Sequence, residues 1–213
     1  MLKEQLEGYS QNAASKTPKR VIETMKQTTQ KLIKSDIAEK SLKVGDKAPS
    51  FILPNLDGKL ISPDDFKGPL IINFNRGSWC PYCNLEVAAW QKIYDKVKAS
   101  GADLVAISPN VPEKYSEMKV KNGLDFELLS DVGNKIAKQF GLVFTLPAEL
   151  ISIYKQFGID IPLYNGDNSY ELPIPATYVV KDGIIIYSFV DPDYTKRAEP
   201  QEVLDAISKK VLV

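Results

Sequence analysis

Short apolar runs alternate along the centre of the chain with stretches in which apolar residues recur every third or fourth position. The runs predict buried strands at residues 69–75, 102–107 and 125–129, and the stretches predict helices at 81–99, 112–121 and 132–140. The longest stretch has one apolar helix face, marked by Leu85, Ala89, Ile93 and Val97. Alternation of strands and helices favours a parallel sheet with crossover helices.

The last third of the chain predicts a β-hairpin and a closing helix. The segment ATYVVKDGIIIYSFV, residues 176–190, places an Asp182-Gly183 turn between two apolar strands, and a helix begins near Pro200. A short strand is predicted at 51–53, and a helix begins at Ser62-Pro63. The order β-α-β-α-β-α-β-β-α predicts an α/β protein with a thioredoxin-like fold, in which a central mixed sheet is flanked by helices.

Residues 1–44 are polar and predict an N-terminal helical extension ahead of a domain at 45–213. One amphipathic helix is predicted from residues at near-helical spacing, which are Val21, Ile22, Met25, Thr29, Leu32, Ile33 and Ile37. Packing onto the main domain is the favoured interpretation, and a dimerisation arm in a homodimer is the alternative. An insertion at about 141–172 contains a predicted helix at 147–157 and either shapes a substrate pocket or forms an interface.

Charge and composition exclude several classes of function. The 27 basic and 27 acidic residues cancel without any lysine-arginine cluster, so we expect no nucleic-acid partner. The apolar runs are too short to span a bilayer, and residues 1–20 lack the apolar region of a secretory signal. We therefore expect no membrane association and a cytoplasmic location. The chain contains no histidine, which removes Ser-His-Asp and Cys-His mechanisms.

The two cysteines of the chain, Cys80 and Cys83, lie where a predicted strand leads into the helix at 81–99. Unpaired N–H groups and the helix dipole at such a helix start stabilise a thiolate. A disulfide between the two needs only a small adjustment, and Pro81 is compatible with the first turn. Zinc would need four ligands and hence a symmetric dimer, so we expect no metal. Two inert buried cysteines are an alternative, but the spacing favours a redox-active pair.

The stretch WCPYC with its following helix, and Pro175-Ala176-Thr177 ahead of a strand, resemble the thioredoxin superfamily. More narrowly, VGDKAPSFILPNLDGKLISPDDFKGPLIINFNRGSWCPYCNLEVAAWQ resembles the AhpC/TSA peroxiredoxins, especially a subgroup with an R-G-x-W-C-P-x-C stretch. The resemblance implies a thiol-dependent peroxidase that acts on hydroperoxides and is recycled by thioredoxin or a similar dithiol. It also implies that Pro175 is the superfamily's cis-proline. The chain has no flavin or nicotinamide fingerprint, so we expect no bound cofactor.

The resemblance assigns roles to both thiols and also marks departures from the usual signature. It implies that Cys80 is the peroxidatic cysteine and that Cys83 is the resolving cysteine. The usual threonine or serine three residues before the cysteine is Gly77 here, and the proline four residues before that is Asn73. The hydroxyl of Ser78, two residues before Cys80, is the candidate replacement for the hydroxyl that the usual threonine or serine would supply.

Peroxide reduction requires more than a low thiol pKa. Lowering the pKa from about 8.5 to about 6 raises the thiolate fraction at pH 7 about thirty-fold, but the weaker nucleophilicity takes back about ten- to twenty-fold. Fixed donors aimed at the leaving oxygen are therefore needed, and arginine suits that role. Arg76, four residues before Cys80, is the first candidate and Arg197 is the second. The aromatic side chain of Trp79 flanks the pair and is expected to shape the site.

Two other functions stay open. The first is a thiol–disulfide oxidoreductase that acts on protein disulfides. Such enzymes often keep a buried acid near the pair, and the counterpart here is Asn73, which cannot transfer protons. This residue counts modestly against the oxidoreductase. The second is a redox sensor, in which the N-terminal helix binds a partner and the disulfide switches the interaction.

Overall fold

The computed structural model describes residues 1–211, with side chains described to residue 209. The helices are α1 (Leu2–Lys16), α2 (Lys19–Ile33), α3 (Ile37–Lys40), α4 (Pro81–Ala99), α5 (Pro112–Asn122), α6 (Lys135–Gln139), α7 (Ala148–Gln156), α8 (Ile161–Asn165) and α9 (Pro200–Val211), with a 3-10 turn at Pro63–Asp65. The strands are β1 (Leu53–Pro54), β2 (Leu60–Ile61), β3 (Leu70–Phe74), β4 (Asp103–Ser108), β5 (Glu127–Ser130), β6 (Val143–Thr145), β7 (Glu171–Pro173), β8 (Ala176–Lys181) and β9 (Ile184–Val190).

A five-stranded sheet of order β5-β4-β3-β8-β9 forms the centre of the molecule. Strands β3, β4 and β5 are parallel, as the alternating pattern predicts, whereas β8 is antiparallel to both β3 and β9. Successive residues of a strand face opposite sides, so Ile71 packs into one core with α4 and α9 while Ile72 packs into another with α6. The mixed sheet flanked by helices confirms the predicted thioredoxin-like fold.

Helix α4 occupies the residues predicted for it, but its buried face is rotated from the predicted one. Of the predicted stripe, Val97 is fully buried, whereas Leu85, Ala89 and Ile93 are only partly buried. The fully buried side chains of the helix include Cys83, Val87 and Trp90 instead. The rotation has a packing cause, because α4 contacts α1, α5 and α9 as well as strand β4 and is therefore covered on several sides.

The N-terminal segment contains two long helices where one was predicted. Pro18 precedes the first residue of α2 and separates it from α1. Helix α1 escaped prediction because its sequence is mostly polar, yet Leu2 and Leu6 are buried in the core that contains α4. Helix α2 packs on α7, with Val21 and Met25 against the apolar side chains of the insertion.

The insertion at 141–172 is more regular than the sequence indicated. Helix α7 corresponds to the helix predicted at 147–157, whereas α8 and the two short strands β6 and β7 were not predicted. The two strands pair antiparallel, with Phe144 opposite Leu172. Strands of three residues leave too little pattern for a period to be recognised. Among residues 1–211, no helix is both long and apolar enough to cross a bilayer.

Replacing Leu6 by alanine tests how firmly α1 is docked. The side chain is 5% exposed within the core that contains α4, so Leu6→Ala should lower the free energy of unfolding by about 2 to 4 kcal/mol in urea denaturation. Leu60→Ala is the matched control, because that leucine is 63% exposed, and it should change the value by less than about 0.5 kcal/mol. Equal effects of the two substitutions would contradict stable docking of α1.

Candidate active site

Cys80 is the N-cap residue of α4, and Pro81 is the first residue of the helix. The Cys80 N–H donates to the Gly77 carbonyl at 3.1 Å, and the Cys80 carbonyl accepts from the backbone N–H and the side-chain Nδ2 of Asn84. Both thiols are free and buried, with Cys80 1% exposed and Cys83 0% exposed. The helix start therefore holds Cys80 where backbone N–H groups stabilise a thiolate.

The two thiols are driven to opposite protonation states. Burial alone would raise the pKa of Cys80, because a thiolate loses its hydration in the interior. A hydrogen bond from the Cys83 thiol and the charges of Arg76 and Arg197 outweigh burial and lower the pKa of Cys80 to about 6. Burial, together with the hydrogen bond to Cys80, raises the pKa of Cys83 well above its ordinary value. At neutral pH the pair therefore holds a thiolate on Cys80 and a proton on Cys83.

The Arg76 guanidinium is buried among aromatic rings, with only 3% of the residue exposed. Its Cζ lies 4.9 Å from the ring centroid of Trp79 and 4.6 Å from that of Tyr194, and its Nη2 donates to the Tyr154 hydroxyl. Its Nε has no hydrogen-bond partner among the described residues. A buried donor without a partner is costly, so the Arg76 N–H is suited to an oxygen atom bound beside Cys80.

Arg197 contacts the other thiol. Its Nη2 donates to Cys83 Sγ at 3.4 Å, and its Nε donates to Glu86 Oε2 at 2.6 Å. Glu86 also accepts hydrogen bonds from Asn73 Nδ2 at 2.8 Å and from the Thr177 hydroxyl at 3.5 Å. Burial raises the pKa of Glu86 to about 7, even though Arg197 favours the ionised carboxylate. The two predicted arginines are thus both buried at the pair, one beside each thiol.

Glu86 is a buried acid that sequence reasoning missed. Asn73 was counted against an oxidoreductase because it stands where such enzymes keep an acid, but Asn73 instead anchors Glu86. That argument is therefore wrong. The signal for Glu86 was present in the sequence, since it follows Cys83 by three residues and lies on the same helix face. Tyr154 and Tyr194 were also missed, because both come from distant parts of the chain.

Comparison with known proteins identifies the family. The sequence model of the AhpC/TSA family matches residues 44–188. The chain belongs to the AhpC/TSA family. A 138-residue stretch is 36% identical to chloroplastic peroxiredoxin Q of Populus jackii and covers 62% of this chain and 65% of that protein. A 102-residue stretch is 36% identical to peroxiredoxin Bcp of Escherichia coli strain K12 and covers 47% of this chain and 65% of Bcp. The chain thus covers just under two thirds of the length of these AhpC/TSA relatives.

Two solved structures share the fold. Peroxidoxin BcpB from Mycobacterium tuberculosis superposes with a TM-score of 0.64 at 20% identity, over 79% of this chain and 97% of that one. AhpC from Mycobacterium tuberculosis superposes with a TM-score of 0.61 at 18% identity, over 80% of this chain and 94% of that one. The family match begins at residue 44 and ends at residue 188. Helices α1 and α2 therefore precede it, and Arg197 follows it.

The geometry around Gly77 explains one departure from the usual AhpC/TSA signature. Gly77 has φ +134°, and a Cβ added there would lie 2.7 Å from Trp79 Nε1 and from the side chain of Asn110. A threonine or serine therefore does not fit at this position. The suggestion that Ser78 supplies the missing hydroxyl is not supported by its contacts, because its Oγ donates to Asn110 Oδ1 at 3.3 Å rather than to a thiol. The side chain that acts with the arginines to lower the Cys80 pKa is Cys83.

The expectation of a cis-proline at position 175 is wrong for this AhpC/TSA chain. The Ile174–Pro175 peptide bond is trans, which is the form that X–Pro bonds intrinsically prefer. Pro175 does line a cavity of about 250 Å³ with Arg76 and Tyr194. Among the expected site-shaping residues, Trp79 and Pro81 both line the groove above the thiol pair.

Cys80 opens into a groove whose outer wall is made by the N-terminal helices. The groove has a volume of about 900 Å³, and Cys80 and Arg76 lie on its floor. Its sides carry apolar and aromatic groups, among them Ala13, Ile22, Met25, Trp79, Tyr82, Phe157 and Ile159. Cys83 does not line it. Among residues 1–211, no group of three or more Cys, Asp or Glu side chains is placed to hold a metal ion.

The lowered pKa of Cys80 can be tested by its rate of alkylation. In the reduced protein the alkylation rate should rise with pH around a midpoint of about 6, instead of the value of about 8.5 for an ordinary cysteine. Arg76→Met should raise that midpoint by about one unit or more, because burial then acts with one cation fewer to oppose it. Arg20→Met is the control, since Arg20 is exposed on α2. An unmoved midpoint in Arg76→Met would contradict the role of Arg76.

Proposed function

We propose that this AhpC/TSA protein is a thiol-dependent peroxidase that reduces hydrogen peroxide and alkyl hydroperoxides at Cys80. One observation carries the proposal, namely that Cys80, at the start of α4, lines the same groove as Arg76, whose Nε has no hydrogen-bond partner among the described residues. Cys83 supports it further, because its buried thiol lies one turn along α4 from Cys80 and helps to lower the Cys80 pKa. The names of its relatives, peroxiredoxin Q and Bcp, point the same way.

The oxidative step uses the thiolate as a nucleophile. The Cys80 sulfur attacks the terminal oxygen of the hydroperoxide, so that an S–O bond forms and the O–O bond breaks. Cys80 becomes a sulfenic acid, and the peroxide is reduced to an alkoxide, or to hydroxide from hydrogen peroxide, which takes a proton from water. The Arg76 N–H stabilises the negative charge that grows on the leaving oxygen.

The disulfide then forms between neighbours on α4. The Cys83 sulfur attacks the sulfenic sulfur of Cys80, the S–S bond forms, and the oxygen leaves as water with the Cys83 proton. An external dithiol, either thioredoxin or a similar one, reduces the disulfide to two thiols and becomes a disulfide itself. The cytoplasm keeps such dithiols reduced, so this is the location that we propose.

Serine variants of the two cysteines test the peroxidase proposal. Cys80→Ser should lose turnover of hydroperoxide in the presence of excess dithiol, because the nucleophile is gone. Cys83→Ser should still form one sulfenic acid per chain, which a dimedone trap and mass spectrometry would count, but should not close a disulfide.

The same assays separate the rival functions. In stopped-flow experiments, oxidation of the reduced protein by hydrogen peroxide at a rate no better than that of a free thiol would favour a thiol–disulfide oxidoreductase. Glu86 makes this experiment necessary. Because Glu86 is a buried acid near the pair, the lack of an acid can no longer be held against an oxidoreductase. Absent turnover combined with a change of oligomeric state on oxidation would instead favour a redox sensor.

We infer that helices α1 and α2 help to select the peroxide. Hydrogen peroxide needs far less room than a groove of about 900 Å³ provides. The apolar walls contributed by Ala13, Ile22 and Met25 suit the hydrocarbon part of a larger alkyl hydroperoxide. Because the two helices precede the segment matched by the family, this selectivity would belong to the extension.

Filling the groove from α1 tests that inference. Ala13→Trp should lower kcat/KM for cumene hydroperoxide about tenfold or more, because overpacking costs about 1 to 3 kcal/mol. The value for hydrogen peroxide should change by less than about twofold, since a small substrate still passes. Asn12→Trp is the matched control, because Asn12 is exposed on the same helix and does not line the groove. Equal losses for both peroxides would contradict a selective wall.

A further inference from the structure

The two arginines of the site lie beside different thiols and in different surroundings. Arg76 lies on the floor of the groove with Cys80. Arg197 does not line the groove, and its Nη2 donates to Cys83, which is itself fully buried. A peroxide or a reductant that enters through the groove therefore reaches Cys80 and Arg76 first.

The Cys83 sulfur is surrounded by donors before any reaction begins. It accepts the Arg197 Nη2–H at 3.4 Å and the backbone N–H of Arg76 at 3.4 Å. A neutral thiol gains little from two such donors, whereas a thiolate is stabilised strongly by hydrogen bonds that include a cation. This surrounding is suited to a state in which Cys83 carries negative charge.

The position of Arg197 is fixed by several contacts. Its Nε pairs with Glu86 at 2.6 Å, and both side chains are 1% exposed. Its Nη1 donates to the carbonyls of Tyr194 and Lys196. Glu86 is fixed in turn by Asn73. The guanidinium therefore cannot swing toward the groove without breaking a buried ion pair.

We propose that Arg197, positioned by Glu86, stabilises the Cys83 thiolate that leaves when the Cys80–Cys83 disulfide is reduced. The inference rests on the proposed function and divides the cycle between the two arginines. Arg76 serves the oxidation of Cys80 by peroxide, and Arg197, which also stabilises the Cys80 thiolate, serves in addition the return of the pair to its reduced state.

The reductive step balances with a dithiol as the reductant. A thiolate of the dithiol attacks Cys80 Sγ, an S–S bond forms to Cys80, and the Cys80–Cys83 bond breaks with its electron pair on Cys83. The second thiol of the dithiol then attacks the mixed disulfide and releases Cys80 as a thiolate, while Cys83 takes up a proton. The dithiol is oxidised to a disulfide and the enzyme pair is reduced. The rate of such a step rises as the pKa of the leaving thiol falls.

Arg197 and Glu86 should act on Cys83 in opposite directions. The guanidinium lowers the pKa of Cys83, and a charged Cys83 raises the pKa of Glu86. The repulsion between the carboxylate and a Cys83 thiolate is mutual. Removing the cation should therefore hinder the departure of Cys83, and removing the carboxylate charge should assist it. A purely structural ion pair would give effects of the same sign.

The test measures disulfide reduction separately from peroxide chemistry. The disulfide is formed in the full-length protein with diamide, and its reduction by dithiothreitol is followed by tryptophan fluorescence and by thiol counting. Arg197→Met should slow reduction of the disulfide about tenfold or more. Its effect on the oxidation of Cys80 by hydrogen peroxide, measured at a pH where Cys80 is fully ionised, should be about tenfold smaller than its effect on reduction. Arg197→Lys should recover part of the rate because the charge is kept.

Glu86→Gln provides the second arm, because glutamine keeps an acceptor for the Arg197 Nε and loses the charge. Glu86→Gln should speed reduction of the disulfide. In a Cys80→Ser background, the pKa of Cys83 can be read from the ultraviolet absorbance of its thiolate. Glu86→Gln should lower that pKa, and Arg197→Met should raise it. Lys196→Met is the matched control, since that neighbouring cation is 59% exposed. The proposal is overturned if both ion-pair variants slow reduction equally, or if neither moves the Cys83 pKa. If Arg197→Met does not fold, the Glu86→Gln variant decides alone. The proposal is then overturned if Glu86→Gln raises the pKa of Cys83 or leaves it unchanged.

Because diamide forms the disulfide, the reductive arm can be measured even if peroxide turnover is absent. A failure of the peroxidase proposal would appear as slow oxidation of wild type by peroxide. A failure of the Arg197 inference would appear only in the reduction rates and in the pKa of Cys83.

Discussion

The site depends on holding two buried cations next to two buried thiols at the start of one helix. Burial by itself would keep both cysteines neutral. A hydrogen bond from the Cys83 thiol and the charges of Arg76 and Arg197 reverse that tendency for Cys80, whereas Cys83 keeps its proton. One cysteine is therefore a nucleophile and the other carries a proton. This difference follows from where the two cysteines lie, because both are the same residue type.

Burying cations requires compensation, and the surrounding residues provide it in two different ways. Arg197 is compensated by an ion pair with Glu86 and by two backbone carbonyls. Arg76 has no carboxylate within its described contacts and lies instead among the faces of Trp79, Tyr154 and Tyr194. The first arrangement fixes a charge permanently, whereas the second leaves the Arg76 Nε without a hydrogen-bond partner among the described residues. An arginine held by a permanent ion pair suits a fixed partner such as Cys83. An arginine with a free hydrogen-bond donor suits a ligand that binds and dissociates.

The fold and the thiol pair could be predicted from local patterns, because a strand-to-helix junction and a C-x-x-C spacing are written in adjacent residues. Both arginines could be proposed from residue type, but their separate partners could not. Glu86 was within reach of the same reasoning, since it continues the Cys83 face of α4. Tyr154 lies on α7, which was predicted, but its contact with Arg76 could not have been foreseen, because nothing local in the sequence fixes where the insertion docks. Helix α1 was hidden by its polar sequence, in which Leu2 and Leu6 are its only buried side chains.

The absence of histidine determines how protons move through the site. Arginine holds its proton at any physiological pH and so supplies charge but cannot shuttle protons. In the proposed cycle, the proton lost when the disulfide forms comes from Cys83 itself, and the leaving oxygen takes its proton from water that enters the groove. Glu86, whose pKa is raised to about 7 by burial, is the buried group beside Cys83 that can change its charge near neutrality. Its ionisation opposes a thiolate on Cys83 and favours the thiol, which is the form in which Cys83 stabilises the Cys80 nucleophile. The same carboxylate that positions Arg197 therefore also helps return Cys83 to its protonated resting state.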